Sequence, residues 1–320
     1  MELRHLRYFL AVAEASNFTK AAALLRVAQP ALSRRVQDLE DEIGVDLLKR
    51  SPRGVVLTAE GKVFLDNTRQ ILKLADESVE QVRALARGEE GELHIGYAPG
   101  PTVEILPPAL AAFQKAFPRV RVLLHDFSEQ ELIEGLRNGK LELALMPRGT
   151  GLQSVGLEFE TLRSYPICVA VARTHRFARR KTITLEMVAG EPMIGFNRKD
   201  YPEYYVGLDR MFGPLGIKPR IVVECDSSSS LITEIETGRG VAIASPVLRH
   251  ASGKRLVYRP LTGTTEVLSV GIARATKGDV TPAGEKFCDI LRKNSSGPTM
   301  AKAKPARSFE PQKVVILDHN

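Results

Sequence analysis

Cysteine is scarce in this chain. Cys168, Cys225 and Cys288 are three in 320 residues, odd in number and far apart. No CxxC or Cys/His ligand spacing is present, which argues against a disulfide framework or a zinc site and leaves reduced, partly buried thiols as the expectation. Long apolar runs are also missing. None approaches the roughly 20 residues needed to span a bilayer, and Met1-Glu2-Leu3-Arg4-His5 has no apolar signal core. The expectation is a cytoplasmic protein with no membrane partner. Catalytic signatures are absent too: there is no GxSxG, HExxH or P-loop, and the six histidines are scattered. His125 and Asp126 adjoin, but neighbours at a strand end point apart, which argues against a catalytic dyad. Redox sensing needs two cysteines placed to react, and Cys168 and Cys225 show no local pairing. A protein without enzymatic activity, metal or cofactor is expected.

With 320 residues and 43% hydrophobic content, the chain is long enough for two or three packed units. The net charge of +7 hints at an anionic partner, but its distribution complicates the inference. Residues 1–90 carry 14 Lys+Arg against 14 Asp+Glu, whereas residues 161–266 carry 16 against 10. Nucleic-acid binding must therefore rest on where particular side chains point.

At the N-terminus, Leu3, Leu6, Phe9, Leu10 and Ala13 recur at helical spacing. Ser16-Asn17-Phe18-Thr19 interrupts them and offers N-caps for a short second helix, about Thr19–Leu25, rich in small residues. Arg26-Val27-Ala28 makes a turn, and Gln29-Pro30 opens a third helix. On that helix Leu32, Val36, Leu39 and Ile43 form an apolar arc, while Pro30, Ser33, Arg34 and Gln37 lie opposite. This is a helix-turn-helix with Arg34 and Gln37 suited to the major groove. Leu47–Arg50 and Val55–Thr58 flank Ser51-Pro52-Arg53-Gly54 as a hairpin wing. Its tip presents Arg53, with Lys49 and Arg50 nearby, to phosphates or the minor groove.

From Thr58 to Gly88 no proline intervenes. Phe64, Thr68, Ile71, Ala75, Ser78, Val82 and Leu85 alternate spacings of four and three, and Leu65, Leu72, Val79 and Ala86 repeat every seven. Such a stripe needs a partner helix, and its consequence is a homodimer on a two-fold DNA site. Beyond the Arg87–Gly91 break, strands alternate with helices: Glu92–Tyr97, Val120–Leu124, Leu141–Met146, Tyr165–Ala172, Pro192–Phe196, Arg220–Glu224, Gly240–Ser245 and a return strand Glu266–Ala273, closed by a helix at Ala283–Leu291. This spacing predicts parallel α/β sheets.

The run Asn17–Ala22, Gln29-Pro30-Ala31-Leu32-Ser33-Arg34, Leu39-Glu40, Ile43-Gly44-Val45 and Leu57-Thr58-Ala59-Glu60-Gly61 resembles the signature of LysR-type transcriptional regulators. The likeness covers residues 1–61 almost without a gap and places the helix-turn-helix at 18–37, with Gln29, Pro30, Ser33, Arg34 and Gln37 at the groove. Ala28 departs from it, where the family often has a capping serine worth ~1 kcal/mol. Lys140–Ala144 and Gly238–Ile243 are similar to the family's effector domain. The resemblance implies a multidomain chain: an all-α winged helix-turn-helix at 1–58, a dimerising linker helix at 59–89, and an α/β two-lobed, periplasmic-binding-protein-like domain at 90–294. Lobe one is expected at 91–160 and 267–294, lobe two at 161–266, and a disordered tail at 295–320. Promoter DNA, a small-molecule effector, a homodimer or tetramer, and RNA polymerase for an activator are the implied partners.

In open α/β sheets ligands sit beyond the carboxyl ends of strands. That rule selects Gly100, Pro101, Thr102, Ser128, Pro147 and Arg148 in lobe one. In lobe two it selects Phe196, Asn197, Asp226, Ser227, Ser228, Ser245 and Pro246. Hydroxyls and free N–H groups there suit a carboxylate. The lobe-two surplus points the same way, although much of it comes from Arg176, Arg179, Arg180 and Lys181, read as a solvated loop.

Overall fold

The computed structural model describes residues 1–51, 54–278 and 280–295. They form two compact units, divided after Arg87. In the first, α1 (Leu3–Ala15), α2 (Phe18–Leu25) and α3 (Gln29–Ile43) precede a hairpin of β1 (Leu48–Ser51) and β2 (Gly54–Leu57), then α4 (Ala59–Ala86). Asn17 caps α2, its side chain accepting from the Lys20 backbone N–H at 3.0 Å. Arg26 ends α2 in the left-handed region at φ 56°, which turns the chain sharply toward Pro30 in the first turn of α3. Ala28 precedes α3 without a side-chain cap. Leu32, Val36 and Leu39 are buried together with Phe9, Val12, Ala21 and Ala22, so α3 has one inward and one outward face.

The wing is fixed at its base. The Val55 N–H donates to the Ser16 carbonyl at 2.9 Å, and a Cβ on Gly54 would lie 2.5 Å from that oxygen. At the other end Leu47 presses on the start of α4, where a Cβ on Gly61 would lie 2.0 Å from the Leu47 carbonyl oxygen. Only glycine fits there. The acidic run on α3 has an unexpected member: Glu40 is buried, and its Oε1 accepts the Leu47 and Leu48 backbone N–H groups at 2.7 and 2.9 Å.

Part of the apolar stripe of α4 packs within its own unit, so the stripe is not wholly free for a partner helix as expected. Leu65, Thr68 and Leu72 are buried within the unit, Phe64 meets Phe9 edge-on at 5.2 Å, and Arg69 pairs with Glu14 of α1 at 3.0 Å. The first half of α4 is thus part of the N-terminal unit's own core. Ile71, Val79, Val82 and Leu85, with Leu74, remain exposed further along.

The second unit has two lobes. Lobe one contains β3 (Gly91–Tyr97), α5 (Pro99–Thr102), α6 (Leu106–Ala116), β4 (Val120–Asp126), α7 (Glu129–Arg137), β5 (Leu143–Pro147) and β6 (Leu157–Pro166). Lobe two contains β7 (Cys168–Ala172), β8 (Ile183–Thr184), α8 (Leu185–Ala189), β9 (Met193–Phe196), α9 (Pro202–Phe212), β10 (Ile221–Cys225), α10 (Ser228–Glu236), β11 (Ala242–Ala244), α11 (Arg249–Ser252) and β12 (Leu256–Thr262). The chain then returns to lobe one as β13 (Val267–Ala275) and α12 (Pro282–Ser295). The lobe-one sheet runs β4-β3-β5-β13-β6, and the main lobe-two sheet β11-β7-β12-β8 beside a β10-β9 pair.

The sheets are mixed, not purely parallel. β3 pairs parallel with β4 and β5, but β13 is antiparallel to β5 and β6, and β7 is antiparallel to β11 and β12. Tyr165–Ala172, read as one strand, is the end of β6 and all of β7, which lie in different sheets. Because β6 pairs with β13 through Pro166, residues 161–166 belong with lobe one, and the crossings fall at Ile167 and at 263–266. β6 and β12 went unforeseen: β6 is largely polar and β12 contains Pro260, so pairing with distant strands decides both. Of the 295–320 tail, all but Ser295 lies outside the described residues.

Candidate DNA interface and ligand cleft

On the outward face of α3, Pro30, Arg34 and Gln37 are exposed and Gln29 and Ser33 half-buried. Arg34 makes no hydrogen bond or ion pair among the described residues, unlike Arg35, which faces Asp38 at 3.6 Å. Gln37 donates from Nε2 to Asp41 Oδ1 at 3.1 Å. Arg50 lies on β1 opposite Val55, and Arg53 lies outside the described residues. A helix rooted by a buried arc and carrying an unpaired guanidinium is shaped to enter a major groove, where Arg reads guanine edges in pairs.

Between the two lobes lies a cavity of about 770 Å³. Its walls come from the carboxyl ends of six strands: Pro99–Pro101 after β3, Asp126, Phe127 and Glu129 around the end of β4, Pro147–Gln153 after β5, Phe196 and Tyr201 after β9, Ser227–Ser229 after β10, and Ala244–Ser245 at β11. That is the geometry expected of ligand sites on open sheets. Of the residues selected from sequence, Gly100, Pro101, Pro147, Arg148, Phe196, Ser227, Ser228 and Ser245 line it, and a Cβ on Gly100 would come within 2.6 Å of Ser228 Oγ across the cleft.

Thr102, Ser128 and Asn197 do not line the cavity, each for a local reason. Thr102 is buried and donates its hydroxyl to the Ala98 carbonyl at 2.7 Å. Ser128 forms a capping box at α7, with Glu131 Oε2 2.8 Å from its backbone N–H. Asn197 closes a turn with Asp200, one bond in each direction at 2.8 Å. Asp226 and Pro246 are also outside it, the former accepting from Ser230 Oγ at 2.5 Å. Even Ser227, which lines the cavity, caps α10 through the Ser230 N–H at 3.2 Å.

Two acidic residues unforeseen from sequence also line the cavity. Glu129, on α7, is 6% exposed, and burial followed by the negative charge of Glu203 pushes its carboxyl up to about 8. Glu203, on α9 of the other lobe, accepts from Thr150 Oγ1 at 2.5 Å. The Gln130 N–H also reaches the Asp200 carbonyl across the lobes at 3.2 Å. None of Arg176, Arg179, Arg180 and Lys181 lines the cavity, and Arg176 is held by Glu191 at 2.6 Å.

A model of a bacterial regulatory helix-turn-helix protein of the lysR family matches residues 3–62, and a LysR substrate binding domain matches residues 86–296. The chain belongs to the LysR family of transcriptional regulators. It is 37% identical over 267 residues to the HTH-type transcriptional regulator TcbR of Pseudomonas sp. (strain P51), covering 82% of this chain and 89% of that protein. It is 34% identical over 261 residues to AlsR of Bacillus subtilis (strain 168), covering 82% and 86%. Among solved structures, full-length CbnR complexed with its target DNA matches with a TM-score of 0.76 and 30% identity, over 92% of this chain and all of that one.

This LysR-family chain is therefore a DNA-binding transcriptional regulator with an effector-binding domain, and its relatives are regulators, not enzymes. Other features fit that reading. Cys168, Cys225 and Cys288 are all free and buried, and burial pushes their thiols up to about 12, 11 and 11, which keeps them protonated at neutral pH and argues against redox sensing. His125 turns toward His94, 3.2 Å away, while its neighbour Asp126 lines the cavity, so the two do not act as a dyad. Among the described residues no helix is long and apolar enough to cross a membrane.

Proposed function

We propose that the protein works in the cytoplasm as a homodimer, assembling further into tetramers, on a two-fold promoter site. In this reading Arg34 and Gln37 read base edges, Gln29, Pro30 and Ser33 set the helix in the groove, and Arg50 and Arg53 of the wing hold the backbone. A small molecule, its carboxylate toward the serines at the start of α10, closes the lobes and changes the spacing of the recognition helices. In an activator, RNA polymerase is the further partner. The observation that carries the reading is Arg34: exposed and unpaired among the described residues, on a helix whose Leu32, Val36 and Leu39 are buried on the other face.

The test is binding to the protein's own promoter fragment against random duplex. Arg34→Ala is expected to lose roughly 1–3 kcal/mol and relax discrimination, while Arg53→Ala lowers affinity evenly across sequences and reduces the salt slope. Unchanged site preference in Arg34→Ala removes that residue from the readout. A second measurement concerns assembly. Val82 and Leu85 are 69% and 57% exposed, so Val82→Glu with Leu85→Glu is expected to halve the mass in light scattering without lowering the melting midpoint. A mass unchanged from wild type places the seam elsewhere.

A further inference from the structure

The cavity is more acidic than the family reading of a carboxylate ligand requires. Asp126, Glu129, Glu203 and Glu266 line it against Arg148 and Arg210. Arg210 faces Glu266 at 3.9 Å, and Arg148 lies over the Phe159 ring at 5.9 Å, so both guanidiniums already have company. Among these groups Glu129 stands apart. It is 6% exposed, it lines the cavity, and its Oε1 has no hydrogen-bond partner among the described residues. Glu129 and Glu203 close on Gly149 from opposite lobes: a Cβ there would lie 3.3 Å from Glu129 Oε1 and 3.4 Å from Glu203 Cγ. A buried acceptor without a partner costs free energy until a donor reaches it.

We propose that the effector carries a protonated amine, which docks between the Glu129 and Glu203 carboxyls and bridges the two lobes. The inference rests on the cleft being the effector site and names the chemistry of one end of the ligand. A hydroxyl donor would satisfy Oε1 alone. A cation also offsets the excess of carboxyls in a cavity that Phe127, Phe159 and Tyr204 line as well. The charged group whose field raises Glu129 is Glu203; Asp126 and Arg148 line the same cavity on the neighbouring β4 and β5 ends. With the carboxyl protonated in the empty cleft, docking an ammonium displaces that proton to solvent, while the amine keeps its own.

The experiment uses the full-length protein with benzylamine and benzoate as probes, by calorimetry in buffers of different ionisation heat. Benzylamine is expected to bind with release of about one proton at pH 7. Glu129→Gln, which keeps size and shape, is expected to weaken benzylamine by about tenfold or more and abolish the proton release while leaving benzoate unchanged. Benzoate binding without benzylamine binding overturns the amine and leaves the cleft reading intact. Binding of neither probe overturns both. Benzylamine binding that ignores Glu129→Gln and releases no proton overturns the inference as well.

Discussion

Glu40→Ala is expected to destabilise the DNA-binding unit by roughly 3 kcal/mol, because two backbone donors lose a charged acceptor in a buried place. Both bonds, from Leu47 and Leu48, end on one oxygen, Oε1. Glu40→Gln keeps an oxygen at that point and loses only the charge, so it is expected to cost about 1 kcal/mol. In a unit of this size the alanine change corresponds to a fall of about 10 °C or more in melting midpoint, readable by circular dichroism. The functional consequence is specific. Glu40 joins the recognition helix to the strand that begins the wing, so its loss should detach wing from helix and weaken promoter binding although no DNA contact has been removed. Equal melting of Glu40→Ala and wild type would show that solvent replaces the carboxylate and that the joint is not structural.

Glu40 also shows where sequence reading stops. It lies among Asp38, Asp41 and Glu42, which are exposed, and nothing in composition separates it from them. Its difference comes from the chain doubling back at Gly44, left-handed at φ 82°, to bring Leu47 over it. By contrast α1 to α3 were legible nearly residue by residue, since each is a local pattern: an apolar arc of 3.6-residue period, an asparagine cap, a proline in a first turn. The α4 stripe was legible as a stripe but not in its division, because Phe64, Leu65, Thr68 and Leu72 look the same whether they meet α1 or a second chain. In the cleft, the strand-end rule found the loops but could not say which hydroxyls were already engaged. Thr102 and Ser128 satisfy their own helices. α9, which brings Glu203 and Tyr204, carries no alternation or motif to announce a wall of the cavity. Glu129 was hidden beside its capping serine. The lobe-two surplus charge misled for a related reason: net charge says nothing about which side of a loop meets the ligand.

The second large effect expected is a stability that declines with rising pH through the cleft. Glu129 has a folded-state value near 8 against an ordinary value of 4.5. Between those limits the folded protein holds a proton that the unfolded chain does not, so the contribution of Glu129 to stability is greatest below pH 4.5 and falls until the carboxyl ionises above 8. Glu129 occupies the first turn of α7, where the helix favours a negative charge by at most about 1 kcal/mol. Burial in the cleft is the larger effect, and the net penalty reaches roughly 5 kcal/mol at the alkaline end. Glu129→Gln carries no charge to expel, so its stability should lack this decline and exceed wild type at pH 9. Because Glu203 and Thr150 meet across the lobes beside it, an ionised Glu129 is most easily relieved by parting them. The same titration should therefore increase the radius of gyration in wild type and not in the variant. Denaturant unfolding from pH 5 to pH 9 separates the cases: if the two proteins run parallel, Glu129 is already solvated and the lobes stand apart in solution.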